Sequence, residues 1–108
     1  SIFSHVSKVK RSAYSASKNG LVGLTRTSAL ELSKKNILVN AVSPGFVDTE
    51  LTRKILKAKE RNNIKAQIPI GRFANTADIV SLIVYLASDQ NTYLSGQNII
   101  IDGGYTVK

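Results

Sequence analysis

The run Ile37-Leu-Val-Asn-Ala-Val42 is short and nearly all apolar, and it narrows the folds open to this chain more than any other stretch. A brief run without polar alternation suits a strand covered on both faces, as in parallel sheets layered with helices. Helical patterns stand on either side of it, over about residues 13–35 and 77–88. A second apolar run, Asn98-Ile-Ile-Ile-Asp102, reads as the last strand. Helix, strand, helix and strand in that order predict an α/β fold with a parallel sheet. Ligands of such sheets collect at the carboxyl ends of the strands. That singles out Ser43-Pro44-Gly45-Phe46-Val47-Asp48-Thr49, the loop just past the first strand.

The first helical pattern has Ser12 as its expected N-cap and Asn36 as its terminator. Projected at 100° per residue, Tyr14, Lys18, Leu21, Thr25, Ser28 and Leu32 share one face. That face is expected to lie against the sheet and to bring the start of the helix to the strand tips. Ala16, Gly20, Gly23, Thr27 and Leu30 fall opposite. A helical glycine costs up to roughly 1 kcal/mol, which close packing against a second helix would offset. Such a helix is expected from another subunit or from elsewhere in the same protein.

Tyr14 and Lys18 stand one helical turn apart near the start of this helix. A free phenol titrates near pH 10, so readying it for proton exchange near pH 7 requires roughly 4 kcal/mol. An ammonium about 5 to 6 Å away supplies roughly 3 kcal/mol at an effective dielectric of about 20. The positive end of the helix adds about 0.3 to 1 kcal/mol. The spacing therefore suits a general acid/base, although Tyr-x-x-x-Lys alone also recurs on ordinary helices as a surface pair.

Residues 50–67 set Leu51, Ile55, Leu56, Ala58 and Ile64 among many charges, which predicts one or two short amphipathic helices. Ile68-Pro-Ile-Gly-Arg-Phe73 reads as a turn, with Asn75 or Thr76 capping the next helix. That helix is apolar almost all round and is expected to be buried on more than one side. The formal charge is +8, and six of the fifteen basic residues fall between Arg53 and Lys65. Without interleaved aromatic residues they read as solvated faces, not as a nucleic-acid surface. Arg53, Lys54 and Lys57 are the best placed for an anionic substrate or carrier. Zero cysteines exclude disulfides and thiolate metal sites and suit a reducing, cytoplasmic setting. His5, the single histidine, has no second ligand at a recognisable spacing, so no metal site is expected. No apolar run approaches the roughly 18 residues that span a bilayer. A chain that lacks methionine and starts at Ser1 is expected to be a piece of something longer.

Several segments together resemble the short-chain dehydrogenase/reductase family in order and spacing: Tyr14-Ser-Ala-Ser-Lys-Asn-Gly-Leu-Val-Gly-Leu-Thr-Arg26, Ile37 through Thr49, Leu94-Ser-Gly96 and Asp102-Gly-Gly104. The branch containing the 3-oxoacyl-(acyl carrier protein) reductases is the most similar. The resemblance covers essentially all 108 residues. It implies the C-terminal part of a doubly wound, parallel-sheet Rossmann-type domain, without the N-terminal dinucleotide-binding half. It also implies hydride transfer between NADP or NAD and a carbonyl or alcohol carbon, on a small molecule or an acyl-carrier-bound substrate such as a 3-oxoacyl thioester.

By the same resemblance, Tyr14 would exchange the proton, and Lys18 would lower its pKa and bind the nicotinamide ribose. Ser1, 13 residues before Tyr14, would orient the substrate oxygen, with Ser4 as a nearby alternative. Pro44 and Gly45 would shape the loop beside the nicotinamide. The Val47 backbone would meet its carboxamide, and the Thr49 hydroxyl would bind that carboxamide or a phosphate. Residues 50–67 would cover the substrate, and Lys34 and Lys35 approximately match basic positions of the carrier-protein reductases. A homodimer or homotetramer is implied. The Gly-rich loop, the ribose-selecting residue and an earlier catalytic asparagine are not found in these 108 residues. Alone, the chain is therefore expected neither to hold nicotinamide properly nor to turn over. The alternative is a non-catalytic oligomerisation or binding module, with a basic nucleic-acid-binding fragment further off.

Overall fold

The computed structural model describes residues 1–107 and is built around two parallel strands, β1 (Ala41–Pro44) and β2 (Asn98–Ile101). Ala41 lies opposite Asn98 and Pro44 opposite Ile101. β1 begins later than the apolar run predicts, and the hydrogen bonds explain why. The Val39 N–H donates to the Ser95 hydroxyl (3.1 Å) and the Asn40 side-chain amide to the Leu94 carbonyl (2.6 Å). The Asn40 carbonyl oxygen in turn accepts from the Gln97 N–H (3.1 Å). The first half of the run is thus bonded to a loop before the ladder starts. The order of elements is otherwise as expected. A 3-10 turn (Ile2–Ser4) and α1 (Ser12–Leu32) precede β1, and α2 (Glu50–Ile55), α3 (Ala58–Lys65) and α4 (Thr76–Ala87) lie between the strands.

Ser12 does not cap α1 but is its first helical residue; Arg11 holds the cap position without a side-chain bond. Lys10 leads in with φ of 62°, and the Ser15 N–H already bonds the Arg11 carbonyl (2.8 Å), which draws Ser12 inside the helix. A 3-10 turn, Ser33–Lys35, extends the far end to Asn36. Asn36 stops it in the left-handed conformation (φ 55°), with its N–H on the Ser33 carbonyl (2.9 Å). Val22 and Ala29 are buried, while Lys18, Thr25, Ser28 and Leu32 are half-buried. Tyr14 and Leu21 sit exposed at the edge of this face, so the inward stripe is turned slightly from the projected one. The small-residue stripe is open: a Cβ at Gly20 or Gly23 would meet nothing within 4 Å.

Asn75 caps α4 through a reciprocal box, its side chain accepting from the Asp78 N–H (2.8 Å) and the Asp78 carboxylate accepting from the Asn75 N–H (2.7 Å). Such a cap is worth about 1 kcal/mol. The expected burial on more than one side is not found. Ile79, Leu82 and Leu86 are half-buried, but Val80, Ile83, Val84 and Tyr85 are exposed, because two strands offer α4 only one surface. Val42 shares a cavity with Ile83, Leu86 and Ala87 of α4. Its neighbour Ser43 reaches the Ile2–Ser4 turn instead. Since successive strand residues point to opposite faces, α4 and the Ile2–Ser4 turn cover opposite sides of the sheet. Among the described residues, no helix is long and apolar enough to cross a membrane.

Past β1, the chain is tied down through Asp48. Its carboxylate accepts from Arg53 of α2 (3.1 and 3.2 Å) and from Arg61 of α3 (2.8 Å), and Arg61 also lies over the Phe73 ring at 5.1 Å. The bonds from Arg53 and Arg61 lower the Asp48 pKa from 3.8 to about 2. A depressed carboxylate pKa stabilises the fold above the unfolded value and ceases to do so as pH falls through the folded value. The Arg53 bond lowers the Asp48 pKa most and the Arg61 bond next, but the Arg53 side chain is 64% exposed and that of Arg61 19%, so solvent screens the Arg53 pair more. In the complete protein, Asp48→Asn is expected to lower Tm near neutral pH. The gap from the unsubstituted protein should shrink between about pH 4 and about pH 2 in thermal melts. A gap that is constant with pH would detach Asp48 from the holding of α2 and α3.

Candidate active site

The Ile2–Ser4 turn is docked on the start of α1. The Ser1 hydroxyl caps that turn by accepting from the Phe3 N–H (3.3 Å). The Phe3 carbonyl accepts from the Asn19 side-chain amide (3.3 Å), which also donates to the Ser15 carbonyl (3.0 Å). The Phe3 ring meets the Tyr14 ring edge-on, with centroids 5.5 Å apart. Lys18 Nζ lies 5.2 Å from the Tyr14 ring centroid, within cation–π range. Tyr14 and Lys18 are thus paired at the start of α1, and Ser1 is linked to them through Phe3, whose N–H its hydroxyl accepts from and whose ring meets Tyr14. Tyr14 is 43% exposed, which leaves its phenol reachable. Lys18 makes no carboxylate ion pair among the described residues.

The two serines weighed from the sequence part company here. The Ser4 hydroxyl turns to the sheet, 2.8 Å from Ser43 Oγ and 3.0 Å from Asn98 Nδ2. The Ser1 hydroxyl stays on the Phe3 N–H instead. Because Ser43 directly precedes Pro44, the Ser4 contact joins the Tyr14 side of the site to the loop past β1.

In that loop, the Gly45 N–H continues the ladder to the Ile101 carbonyl (3.0 Å). A Cβ on Gly45 would come within 2.8 Å of both Cα and Cβ of Asp102, so the backbone itself demands glycine. Val47 forms an isolated bridge with Ala74, whose bonds run through the flanking residues: the Ala74 N–H donates to the Phe46 carbonyl (2.9 Å) and the Asp48 N–H to the Ala74 carbonyl (2.8 Å). By strand alternation, Val47's own N–H and carbonyl face away from Ala74. Its carbonyl accepts from the Thr49 N–H (2.9 Å). Thr49 caps α2, its hydroxyl oxygen accepting from the Thr52 N–H (3.2 Å) and lying 3.0 Å from the Thr52 hydroxyl. When Thr52 donates in that second contact, the Thr49 proton remains for a carbonyl or phosphate oxygen.

Arg53 and Lys54, singled out for an anion on charge alone, are already paired, with Asp48 and with Glu50 (2.7 Å). No group of His, Cys, Asp and Glu among the described residues is arranged to hold a metal ion. The parts played by Asn19 and Asn98 were not foreseen. Each left a faint trace in the sequence, Asn19 as a weak helix former directly after Lys18, and Asn98 as an amide opening an apolar strand.

A parallel sheet layered with helices, with Tyr14 and Lys18 paired at the start of α1, has the architecture of the class of short-chain dehydrogenases/reductases. The pattern of one family of that class, enoyl-(acyl carrier protein) reductase, matches residues 1–106, and the chain belongs to it. It is similar to the 3-oxoacyl-[acyl-carrier-protein] reductase of Thermotoga maritima, with 47% identity over 94 residues, 87% of this chain and 38% of that protein. A solved 4-hydroxyisoleucine dehydrogenase mutant, in complex with NADH and succinate, is 41% identical with a TM-score of 0.93, covering 100% of this chain and 45% of its own. An Agrobacterium tumefaciens protein solved with bound NADP is 33% identical at a TM-score of 0.93, covering 100% and 44%. The fold is thus the Rossmann-type fold of these dehydrogenases, of which the chain spans about two fifths.

Proposed function

We propose that the complete protein carrying this sequence is a nicotinamide-dependent oxidoreductase that interconverts a carbonyl and an alcohol, with Tyr14 as its general acid/base. The observation that carries this reading is the pairing of Tyr14 with Lys18 at the start of α1, where the turn that follows Ser1 docks through Phe3. Three features fit a bound NADP or NAD: the Lys18 ammonium, which has no carboxylate partner among the described residues, the outward backbone edge of Val47, and the Thr49 hydroxyl, whose proton is open to a ligand when Thr52 donates to it. Lys18 would hold the ribose, Val47 the carboxamide, and Thr49 the carboxamide or a phosphate, with Pro44 and Gly45 setting the course of that loop. The nicotinamide, when bound, supplies or accepts hydride at the substrate carbon.

During reduction, Tyr14 gives its hydroxyl proton to the carbonyl oxygen as negative charge develops there. Ser1 donates a hydrogen bond to the same oxygen and fixes its direction, and the Lys18 ammonium stabilises the phenolate left behind. A 3-oxoacyl thioester is the proposed substrate, by similarity to the Thermotoga maritima relative.

The test is an assay of the complete protein with NADPH and NADH against 3-oxoacyl thioesters and small ketones. Nicotinamide consumption dependent on the carbonyl is expected, and none from the 108 residues alone. The alternative reading is a non-catalytic assembly module, which the open Gly20 and Gly23 face favours. It predicts a defined oligomer that consumes neither nicotinamide. An active homodimer or homotetramer would instead join the two readings, with α1 as the interface.

A further inference from the structure

We infer that Ser4 is a positioning residue, whose hydroxyl closes a hydrogen-bonded ring with Ser43 and Asn98 and thereby fixes the turn that carries Ser1 against the sheet. The inference rests on the functional reading above. Asn98 Nδ2 donates to Ser4 Oγ (3.0 Å), and Ser43 Oγ donates to Asn98 Oδ1 (2.6 Å). The third contact, Ser4 Oγ to Ser43 Oγ, is 2.8 Å. Ser43 has already spent its proton on Asn98, so the proton in that contact is Ser4's own. The ring therefore runs in one direction, each side chain donating once and accepting once. Ser43 is 2% exposed, so with the ring intact its hydroxyl depends on protein partners.

This ring joins the Ile2–Ser4 turn to β1 and β2 at once. On its other side the turn is held by Asn19, which bonds the Phe3 carbonyl from α1. The turn's own backbone bonds, from the Ser4 N–H to Ser1 and from the His5 and Val6 N–H groups to Ile2, shape it without saying where it sits. Its place between sheet and α1 is pinned by hydrogen bonds through Ser4 on one side and Asn19 on the other, with buried Ile2 and the Phe3–Tyr14 contact packed between them. Loss of the Ser4 hydroxyl leaves both Asn98 Nδ2 and Ser43 Oγ one partner short. A shift of about 1 Å in a group that orients the reacting oxygen costs about 100-fold in rate.

The test compares Ser4→Ala, Ser4→Thr and Asn98→Ala in the complete protein, with Ser4→Gly as a second hydroxyl deletion should Ser4→Ala not fold. Two readouts are taken: kcat with the nicotinamide Kd, and amide hydrogen exchange over residues 1–7. The expected result is a kcat lowered about 10- to 100-fold in the deletions, with Kd within about twofold, faster exchange confined to residues 1–7, and recovery in Ser4→Thr. Unchanged kcat and exchange would overturn the inference, as would equal losses of kcat and cofactor binding. If the unsubstituted protein reduces nothing, the functional reading falls by itself. Exchange over residues 1–7 then still decides whether Ser4 holds the turn.

Discussion

Tyr14→Phe in the complete protein is expected to lower kcat for carbonyl reduction by about 10²- to 10⁴-fold. The nicotinamide Kd should stay within about twofold, since the loss is confined to the reacting state. The structure makes this substitution unusually clean. The phenylalanine ring keeps the edge-on contact with Phe3 at 5.5 Å and the place above which Lys18 sits at 5.2 Å, so only the hydroxyl is removed. Packing of the Ile2–Ser4 turn on α1 does not depend on that oxygen, because Asn19 and Ser4 hold the turn through other groups. Steady-state kinetics with a fluorescence titration of the cofactor would check both parts. An unchanged kcat would remove Tyr14 from the proton transfer, and a kcat loss matched by a loss of affinity would make it a binding residue.

What the sequence could reveal depended on whether the deciding interaction was local. The helix bearing Tyr14 and Lys18, its stop at Asn36, the Asn75 cap and the last strand all follow from residues a few positions apart, and all were legible. β1 was displaced because its start is decided by Ser95, Leu94 and Gln97, more than fifty residues away. The same distance hid the ring of Ser4, Ser43 and Asn98, whose members look like three ordinary polar residues until the sheet brings them together. The apolar excess of α4 was legible as composition, but its covering was not. One stripe meets the two strands, and Val80, Ile83 and Val84 face outward. Charge alone was the poorest guide, since Arg53 and Lys54 proved to be bound by neighbouring carboxylates.

These contacts give the site a division of labour. The serine, tyrosine and lysine come from one continuous stretch, so helix geometry nearly suffices to place Tyr14 against Lys18. The serine's reach and the loop from Pro44 to Thr49 depend on the sheet. Asp48 extends the same loop outward to α2 and α3, through Arg53 and Arg61. α2 and α3 are thereby tied to the loop that carries Val47 and Thr49.

Gly45→Ala is expected to lower the stability of the complete protein by about 1–3 kcal/mol, the usual cost of forcing a methyl group into a filled space. For a protein of this fold's usual size, that corresponds to a fall in Tm of roughly 2–12 °C. The new Cβ would stand 2.8 Å from both Cα and Cβ of Asp102. Asp102 has little freedom to yield, because its carboxylate accepts from the Gly104 N–H (2.9 Å) and the Thr106 N–H (2.8 Å). Burial would raise the Asp102 pKa, but the bonds from Thr106, Gly104 and Tyr105 outweigh it and hold the pKa below the ordinary value. The Gly45 N–H is itself fixed on the Ile101 carbonyl at 3.0 Å, so strain appears in the sheet whether or not a cofactor is present. Thermal melts without nicotinamide separate the two reasons for this glycine. A lowered Tm in the cofactor-free protein assigns it to the joint between β1 and β2. An unchanged Tm with a weakened nicotinamide Kd would assign it to the cofactor alone and show that Asp102 can move aside.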